Sequence, residues 1–423
     1  MLLSSTRIDE ELGNIERLNY NLREITQDIH GLHTLRPDLR TVNLRTEMCE
    51  VQTIRKYYVS LLESLKDRNL FACDCQSDHF ASLRLEPKPI LIERKQTGHS
   101  LYDNPYYNFR MMLVSMSAKD NENTEVRLQQ FEVRPIGYDG SRDSILFTHL
   151  PWPAEGPQIQ DICADVFHSK CDDPEISIGF LADLRELSLR QRLHSISHVE
   201  ELRTSSLQSL LDQGDRVPQE QALTRGDRLF LAVTLACCML HIGETAWLKD
   251  FWSSRDILLM HSRRGFCRDL VSQEIHPYLD WSMCALTGHL DDQFDLTEEA
   301  AQIVQSKPML ALGLTLVELC LGKSLSVTRT QADEKASVVG TNIATAKRSL
   351  YEIELQEGPV YRQIVEKCLY SNFQTETFDF NKDQFWKVIY QHVIAPLVGV
   401  FDDFRGLDPL MRRPKYLWPR PVH

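Results

Sequence analysis

Apolar residues recur at Ile8, Leu12, Ile15, Leu18, Leu22, Ile25, Ile29 and Leu32. Steps of three and four put them on one stripe of a helix. Pro37-Asp38 interrupts the pattern, and a second stripe runs through Leu44, Met48, Val51, Tyr58, Leu62 and Leu65. Together they predict a helical hairpin over residues 1–75 whose apolar face needs a partner. From about residue 80 the period shortens. FASLRLEP, FRMMLVSMS, LQQFEVRPIG and SILFTHL are short apolar runs divided by Pro, Gly and Asn, which predicts an antiparallel sheet within a β-rich segment, 76–200. ISIGFLADLRELSLR is ambiguous and fits a strand entering a short turn. The helical period then returns. Thr224 followed by Asp227 has the form of an N-terminal cap, and Leu229, Ala232, Val233, Ala236 and Leu240 mark a buried helix face. MLALGLTLVELCL, opened by Pro308 and stopped by Gly322, is apolar all round and predicts a central buried helix. The expected fold is α+β and predominantly helical: hairpin, β-rich lobe, helical domain over 201–400, and a tail over 401–423.

Composition narrows the classes of function. A chain of 423 residues suggests two or three domains, and 42% apolar with 25% charged residues is globular rather than disordered. The net charge is −13 and no Lys/Arg-rich stripe occurs, so neither nucleic acid nor an anionic membrane surface is an expected partner. No apolar run nears the roughly 20 residues of a membrane span. The opening MLLSSTRIDEELGN has acids where a signal peptide has an apolar core, so the expected location is cytoplasmic. The 11 cysteines are scattered, several in runs such as LAVTLACCML, which predicts reduced, buried thiols.

The order of the later segments resembles the helical lobe of a protein kinase. SLQSLLDQ is similar to the short helix after a kinase hinge, and LFLAVTLACCMLHI to the helix before the catalytic loop, with Leu240-His241 as its Leu-His pair. DILLM, Asp256 to Met260, stands where kinases have Asn-Ile-Leu-Leu. LALGLTLVELCLGKSL is similar to the central helix, through Gly313, Glu318 and Gly322, and YRQIVEKCLYSNF to a later helix, through Cys368-Leu369. This resemblance covers about 205–375. The segments CDCQSDHFASLRL, LTRGDRLFLAVTLA, WLKDFWSSRDILLM and LALGLTLVELCLGKSL also resemble a fungal domain of unknown function, from about residue 55 onward. That domain is found behind helical modules in proteins related to prion inhibition and propagation and to heterokaryon incompatibility. The resemblance implies a fungal source and a regulatory setting, and supplies no activity. Such relatives often carry an apolar N-terminal helix; residues 1–14 here are polar and acidic, so a truncated or specialised chain without a pore-forming role is expected.

Phosphoryl transfer has residue requirements that can be checked one at a time. Setting Asp256 on the metal-binding Asn puts Lys249-Asp250-Phe251 on the His-Arg-Asp triplet. Phe251 then stands where a carboxylate base is needed, and a phenyl ring cannot accept a proton. Leu279-Asp280-Trp281 is the candidate for the Asp-Phe-Gly site and lacks the Gly, while Pro308 replaces the Asp that anchors the catalytic loop. The β-rich segment has no glycine-rich phosphate loop and no Val-Ala-Ile-Lys-like strand. No catalytic residue and no cofactor are therefore expected. The reading is a pseudokinase-like regulatory or protein-interaction module, in non-self-recognition or incompatibility-type signalling by the second resemblance. Its partners would be proteins, or a second copy bound through the N-terminal seam. One alternative is an atypical kinase or nucleotide-binding protein using Asp250 or Asp256, with Asp280 as a further candidate. Another is a zinc-organised scaffold: Cys73, Cys75 and His79 are close together, with Cys163 and Cys171 farther on, although a structural zinc usually takes four ligands. Alternate side chains of a strand entry facing the core explain the same cysteines.

Three patterns have plain structural explanations. Gly322-Lys323-Ser324 spells the end of a phosphate loop, but Val317 stands where its other Gly belongs, and the tripeptide closes a helix. Cys237-Cys238, with His241 one turn on, reads as helix interior. WLKDFW, Trp247 to Trp252, reads as a loop anchored by its rings or as a recognition surface.

Overall fold

The structure is a computed structural model. It describes residues 44–66, 77–87, 109–119, 123–137, 157–162, 164–165, 177–182, 189–197, 203–213, 222–248, 251–262, 265–266, 275–282, 305–335, 337–371, 373 and 378–407. The first apolar stripe, SILFTHL, Cys73, Cys75, Cys163, Cys171, Asp250 and the tail beyond 407 lie outside these residues. The second stripe forms helix α1, Leu44–Leu65, and buries Val51, Ile54, Tyr58, Leu61, Leu62 and Leu65.

The short apolar runs form an antiparallel sheet: β1 Ser77–Arg84, β2 Phe109–Lys119, β3 Asn123–Gly137, β4 Ser177–Ala182 and β5 Leu189–Ser197. Strands from farther along join the same sheet: β6 Arg203–Ser206, β7 Ile257–Ser262, the two-residue β8 Gly265–Phe266, and β9 Pro277–Ser282. The order is β4-β5-β3-β2-β1-β9-β7-β6, with β8 paired to β7. Alternation gives the sheet two faces. On one, Phe109 and Met111 of β2, Phe131 and Val133 of β3 and Leu193 of β5 are buried; the Tyr58 ring of α1 lies 4.3 Å from that of Phe109.

On the other face Met112, Met260 and Tyr278 make a separate apolar cluster. Gln130 Nε2 of β3 donates to Met260 Sδ of β7 at 3.3 Å, yet β2, β1 and β9 lie between those strands. Four strand spacings in a flat sheet amount to about 19 Å. The sheet is therefore curled, with this cluster inside the curl.

The helical part begins with α2, Leu207–Gln213, and α3, Arg225–Ile242. The expected capping box is present: Thr224 Oγ1 accepts from Asp227 N at 3.1 Å, and Asp227 Oδ2 accepts from Thr224 N at 3.0 Å. Apart from Arg225 and Arg228 every residue of α3 is buried, as befits a central helix. Helix α4, Lys307–Leu321, packs on it, begins with Pro308 near its first position and ends at Gly322. Gly322 has φ +65, the left-handed conformation in which a Cβ is costly. A short α5, Leu325–Thr328, leads to the long α6, Val338–Tyr370. Gly358, at φ 86 and ψ 172, and Pro359 break α6 into two helical stretches. That break is tied to the start of α3, because Arg225 donates to both carboxylate oxygens of Glu357, each at 2.8 Å. The last elements are α7, Asp383–Ile389, a π-turn over Tyr390–Ile394, and α8, Ala395–Leu407. The molecule is an α+β protein, and among the described residues no helix is long and apolar enough to cross a membrane.

Candidate functional site

The segment joining α3 to β7 holds Asp256, Phe251 and the two tryptophans of WLKDFW. Its two tryptophans are 2% and 3% exposed, so the rings of Trp247 and Trp252 anchor the loop in the core rather than present a surface. Trp247 Nε1 donates to the Tyr58 carbonyl of α1 at 2.7 Å. Phe251, the residue at the kinase base position, is half-buried, and Lys307 Nζ lies 5.1 Å from its ring centroid. A cation over a ring face is a stable arrangement with no proton acceptor.

Asp256 closes its own turn. Its Oδ2 accepts from Ser253 N at 2.9 Å and from Ser253 Oγ at 3.4 Å, while its N–H donates to the Ser253 carbonyl at 3.0 Å. Asp280 lies inside β9, which pairs with β1 across Phe80↔Ser282 to Arg84↔Tyr278 and with β7 across Ile257↔Leu279. The backbone of Leu279-Asp280-Trp281 is thus part of the ladder rather than a loop. The β7–β9 ladder ends at Ile257↔Leu279, so Asp256 lies just before that end pair on one strand and Asp280 just after it on the other. His79 lies within β1, opposite Ser115 of β2; Cys73 and Cys75 lie outside the described residues. Among the described residues no three His, Cys, Asp or Glu gather as metal ligands.

A buried acid behind this turn was noted in the sequence only as a position of the central helix. Glu318 of α4 is 8% exposed; its Oε1 accepts from Leu325 N at 2.9 Å, and Ser254 also bonds to the carboxyl. Ser254 in turn accepts from Gln208 N of α2 at 3.0 Å through its carbonyl. Asp212 of α2 accepts from Ser324 Oγ and from Ser326 Oγ, the latter at 2.9 Å. Three elements and the 251–256 turn are knitted together by this set. Burial raises the Glu318 pKa, the Leu325 and Ser254 bonds lower it, and nearby Asp212 adds to the rise. A raised folded-state pKa means that the native protein holds a proton the unfolded chain has released, so this group favours folding below about pH 4 and loses that contribution as pH rises. Glu318→Gln keeps an acceptor for Leu325 and removes the buried charge. It is expected to match or exceed the wild type at pH 7, with its advantage shrinking as pH falls toward 4. Glu318→Ala leaves the Leu325 N–H unmatched and is expected to cost about 2 kcal/mol. Urea unfolding of both variants at pH 4.5 and 7 checks the pair.

Four thiols among the described residues are poor nucleophiles. Cys237, Cys238, Cys320 and Cys368 are buried and unbridged; burial pushes Cys237 and Cys320 up to about 12 and raises Cys368 further. Such thiols are inert at neutral pH. The sequence reading overlooked Arg55. Its signal was a cation at the i+4 position from Val51 on an otherwise apolar stripe. It is 9% exposed, and its Nη1 donates to the Gly243 carbonyl at 2.6 Å, at the end of α3.

No curated protein matches the chain. The family model described as a domain of unknown function (DUF7580) matches residues 50–402, from within α1 to within α8, and the chain therefore belongs to that family.

Proposed function

We propose that the protein is a non-catalytic, pseudokinase-like regulatory or protein-interaction module, a cytoplasmic component of fungal non-self-recognition or incompatibility-type signalling. The observation that carries the non-catalytic reading is the Lys307–Phe251 stack beside Pro308 at the start of α4. Where a phosphotransferase needs a base and an anchoring carboxylate, this chain has a ring, a cation and a proline. The carboxylate of Asp256, spent on its own turn, and the ladder pairing of β9 support the same reading. A contact surface is available on α6, where Tyr351 and Leu355, one turn apart, are each 69% exposed. The fungal incompatibility setting rests on the sequence resemblance.

One observation favours a second reading, a metal or nucleotide site. Asp256 directly precedes Ile257 and Asp280 directly follows Leu279, the end pair of the β7–β9 ladder, and two acidic residues near one ladder end are a start for a divalent cation. A thermal-shift titration with ATP and magnesium separates the two. Binding to the native state alone raises the melting temperature by mass action, so the non-catalytic reading expects less than about 1 °C of change at millimolar nucleotide. Saturable stabilisation that disappears in Asp256→Asn would establish the second reading instead.

A further inference from the structure

We propose that Lys367 and His392 form a proton-operated latch between the second stretch of α6 and the π-turn before α8, closed while the imidazole is neutral and released when it takes up a proton. Lys367 Nζ and His392 Nδ1 are 2.8 Å apart. An ammonium only donates, so the imidazole accepts through its Nδ1 lone pair, which requires a neutral ring with its proton on Nε2. Each side chain has the other as its one hydrogen-bond partner among the described residues. Both are half-buried, while Ile364, Val365, Cys368 and Leu369 of α6 and Val393 and Ile394 of the π-turn are fully buried. The π-turn is a local departure from α geometry, because Ala395 N donates to the Tyr390 carbonyl five residues back. Such turns are rare and recur at functional places in helices. The α8 helix that it starts packs on both α3 and α6.

Protonating His392 turns its acceptor into a donor and sets two cations where one hydrogen bond had been. The elements packed against the π-turn hold their carboxylates elsewhere. On α6, Glu366 accepts from Arg362 at 3.1 Å; burial raises the pKa of Cys368, and burial followed by Glu366 raises that of Tyr370, so both stay uncharged. On α7, Asp383 accepts from Gln52 of α1 at 2.9 Å, and Lys387 is a further cation. On α8 the first charged residue is Asp402, ten positions past His392 and about 15 Å along a helix. On α3, Arg225 is held by Glu357 and Asp227 by Thr224, Arg228 donates to the Leu223 carbonyl, and His241 is buried. The π-turn itself adds Tyr390 and no other charge. Burial, and then the Lys367 ammonium, hold His392 below its ordinary value; burial also lowers Lys367, with Cys368 opposing. The latch does not depend on the non-catalytic reading, and its failure would leave that reading standing.

The test is hydrogen–deuterium exchange of the full chain at pH 7.5 and 5.0, corrected for the intrinsic rate at each pH, with His392→Asn as the reference. Asparagine keeps an acceptor near the Nδ1 position and does not titrate. A lowered folded-state pKa means that the contribution of His392 is fully present above about pH 6.5 and is lost as pH falls through the folded value. Protection of the amides of 359–370 and 390–407 is therefore expected to fall about threefold at the lower pH in the wild type, a size suited to a half-exposed pair, and to stay level in His392→Asn. An NMR titration gives a second readout. His392 is expected to titrate below its ordinary value of about 6.5 and to move upward in Lys367→Met, with the proton of the neutral ring on Nε2. Protection that falls equally in the wild type and in His392→Asn overturns the proposal. So does protection that is unchanged in both, because Lys367 then swings aside and the pair holds no backbone in place. A His392 midpoint unmoved in Lys367→Met overturns it as well.

Discussion

Replacing Arg55 by Met is expected to destabilise the protein by about 3 kcal/mol, most of it from breaking a buried charged hydrogen-bond set rather than from lost packing. Arg55 projects from α1 onto the carboxyl end of α3. Its Nη1 donates to the Gly243 carbonyl at 2.6 Å and reaches the His241 carbonyl at 3.5 Å, while Nη2 donates to Asn381 Oδ1 at 3.3 Å. The last carbonyls of a helix have no intrahelical donors and carry the negative end of its dipole. A guanidinium satisfies several of them from one rigid fork, which a lysine ammonium cannot do. Burial lowers the Arg55 pKa; Glu244 and Asp379 oppose that shift, and the group remains charged. Met keeps the aliphatic stem and supplies no donor, so the carbonyls of residues 241 and 243 are left dry. Arg55→Lys is expected to lose roughly half as much, since one point charge reaches one acceptor well. Trp247→Phe, which deletes the bond to the Tyr58 carbonyl but keeps a ring, is expected to cost about 1 kcal/mol. Chemical denaturation measures all three. A loss below about 1 kcal/mol for Arg55→Met would mean that packing alone, through Tyr58 and Leu62, holds α1 in place.

This anchor also shows where sequence reading stopped. The stripe of α1 was legible because Val51, Tyr58, Leu62 and Leu65 repeat at helical spacing and all turn inward. Arg55 was not, because the acceptors it serves lie 186 and more residues away, and two of the three are backbone carbonyls, whose demand for donors leaves no mark in the residue types. The caps were legible for the opposite reason. Thr224 with Asp227, and Pro308 with Gly322, are local devices whose partners lie within a few residues. The sheet lies between these cases. FRMMLVSMS and LQQFEVRPIG were recognisable as strands, whereas the addition of β7 and β9 to the same sheet is set by long-range pairing such as Leu83↔Leu279. The candidate acids divide in the same way. Asp256 closing its own turn is local chemistry, and its place next to the Ile257↔Leu279 end of the β7–β9 ladder appears only in the assembled sheet.

Two motifs far apart in sequence, Gly313 and Cys368-Leu369, touch one another, and the closeness of that contact makes Gly313→Val the other substitution with a large expected cost. A Cβ at position 313 would lie 3.0 Å from Cys368 Cβ, 3.1 Å from Leu369 N and 3.2 Å from Leu369 Cδ2. Carbon atoms in good contact sit about 3.5–4.0 Å apart, so a Cβ here would force its neighbours on α6 to give by a few tenths of an ångström. Relief would require α6 to move away, and α6 is held about two and three turns before the contact. Tyr361 Oη donates to the Leu316 carbonyl at 2.9 Å, and Glu357 is held by Arg225. Alanine at 313 gains about 1 kcal/mol of helix propensity over glycine and meets the clash with one methyl group, so the two effects nearly cancel. Valine gains less propensity and adds two further carbons with no space to enter; the expected loss is about 3 kcal/mol. Gly399 in α8 supplies the control, because a Cβ there meets nothing within 4 Å. Gly399→Ala is expected to stabilise by about 0.5–1 kcal/mol, through propensity alone. Urea midpoints at constant m-value read both substitutions in one assay. If Gly313→Val costs no more than alanine at the same position, the two helices separate freely, and the anchors at Tyr361 and Glu357 do not fix the distance between them.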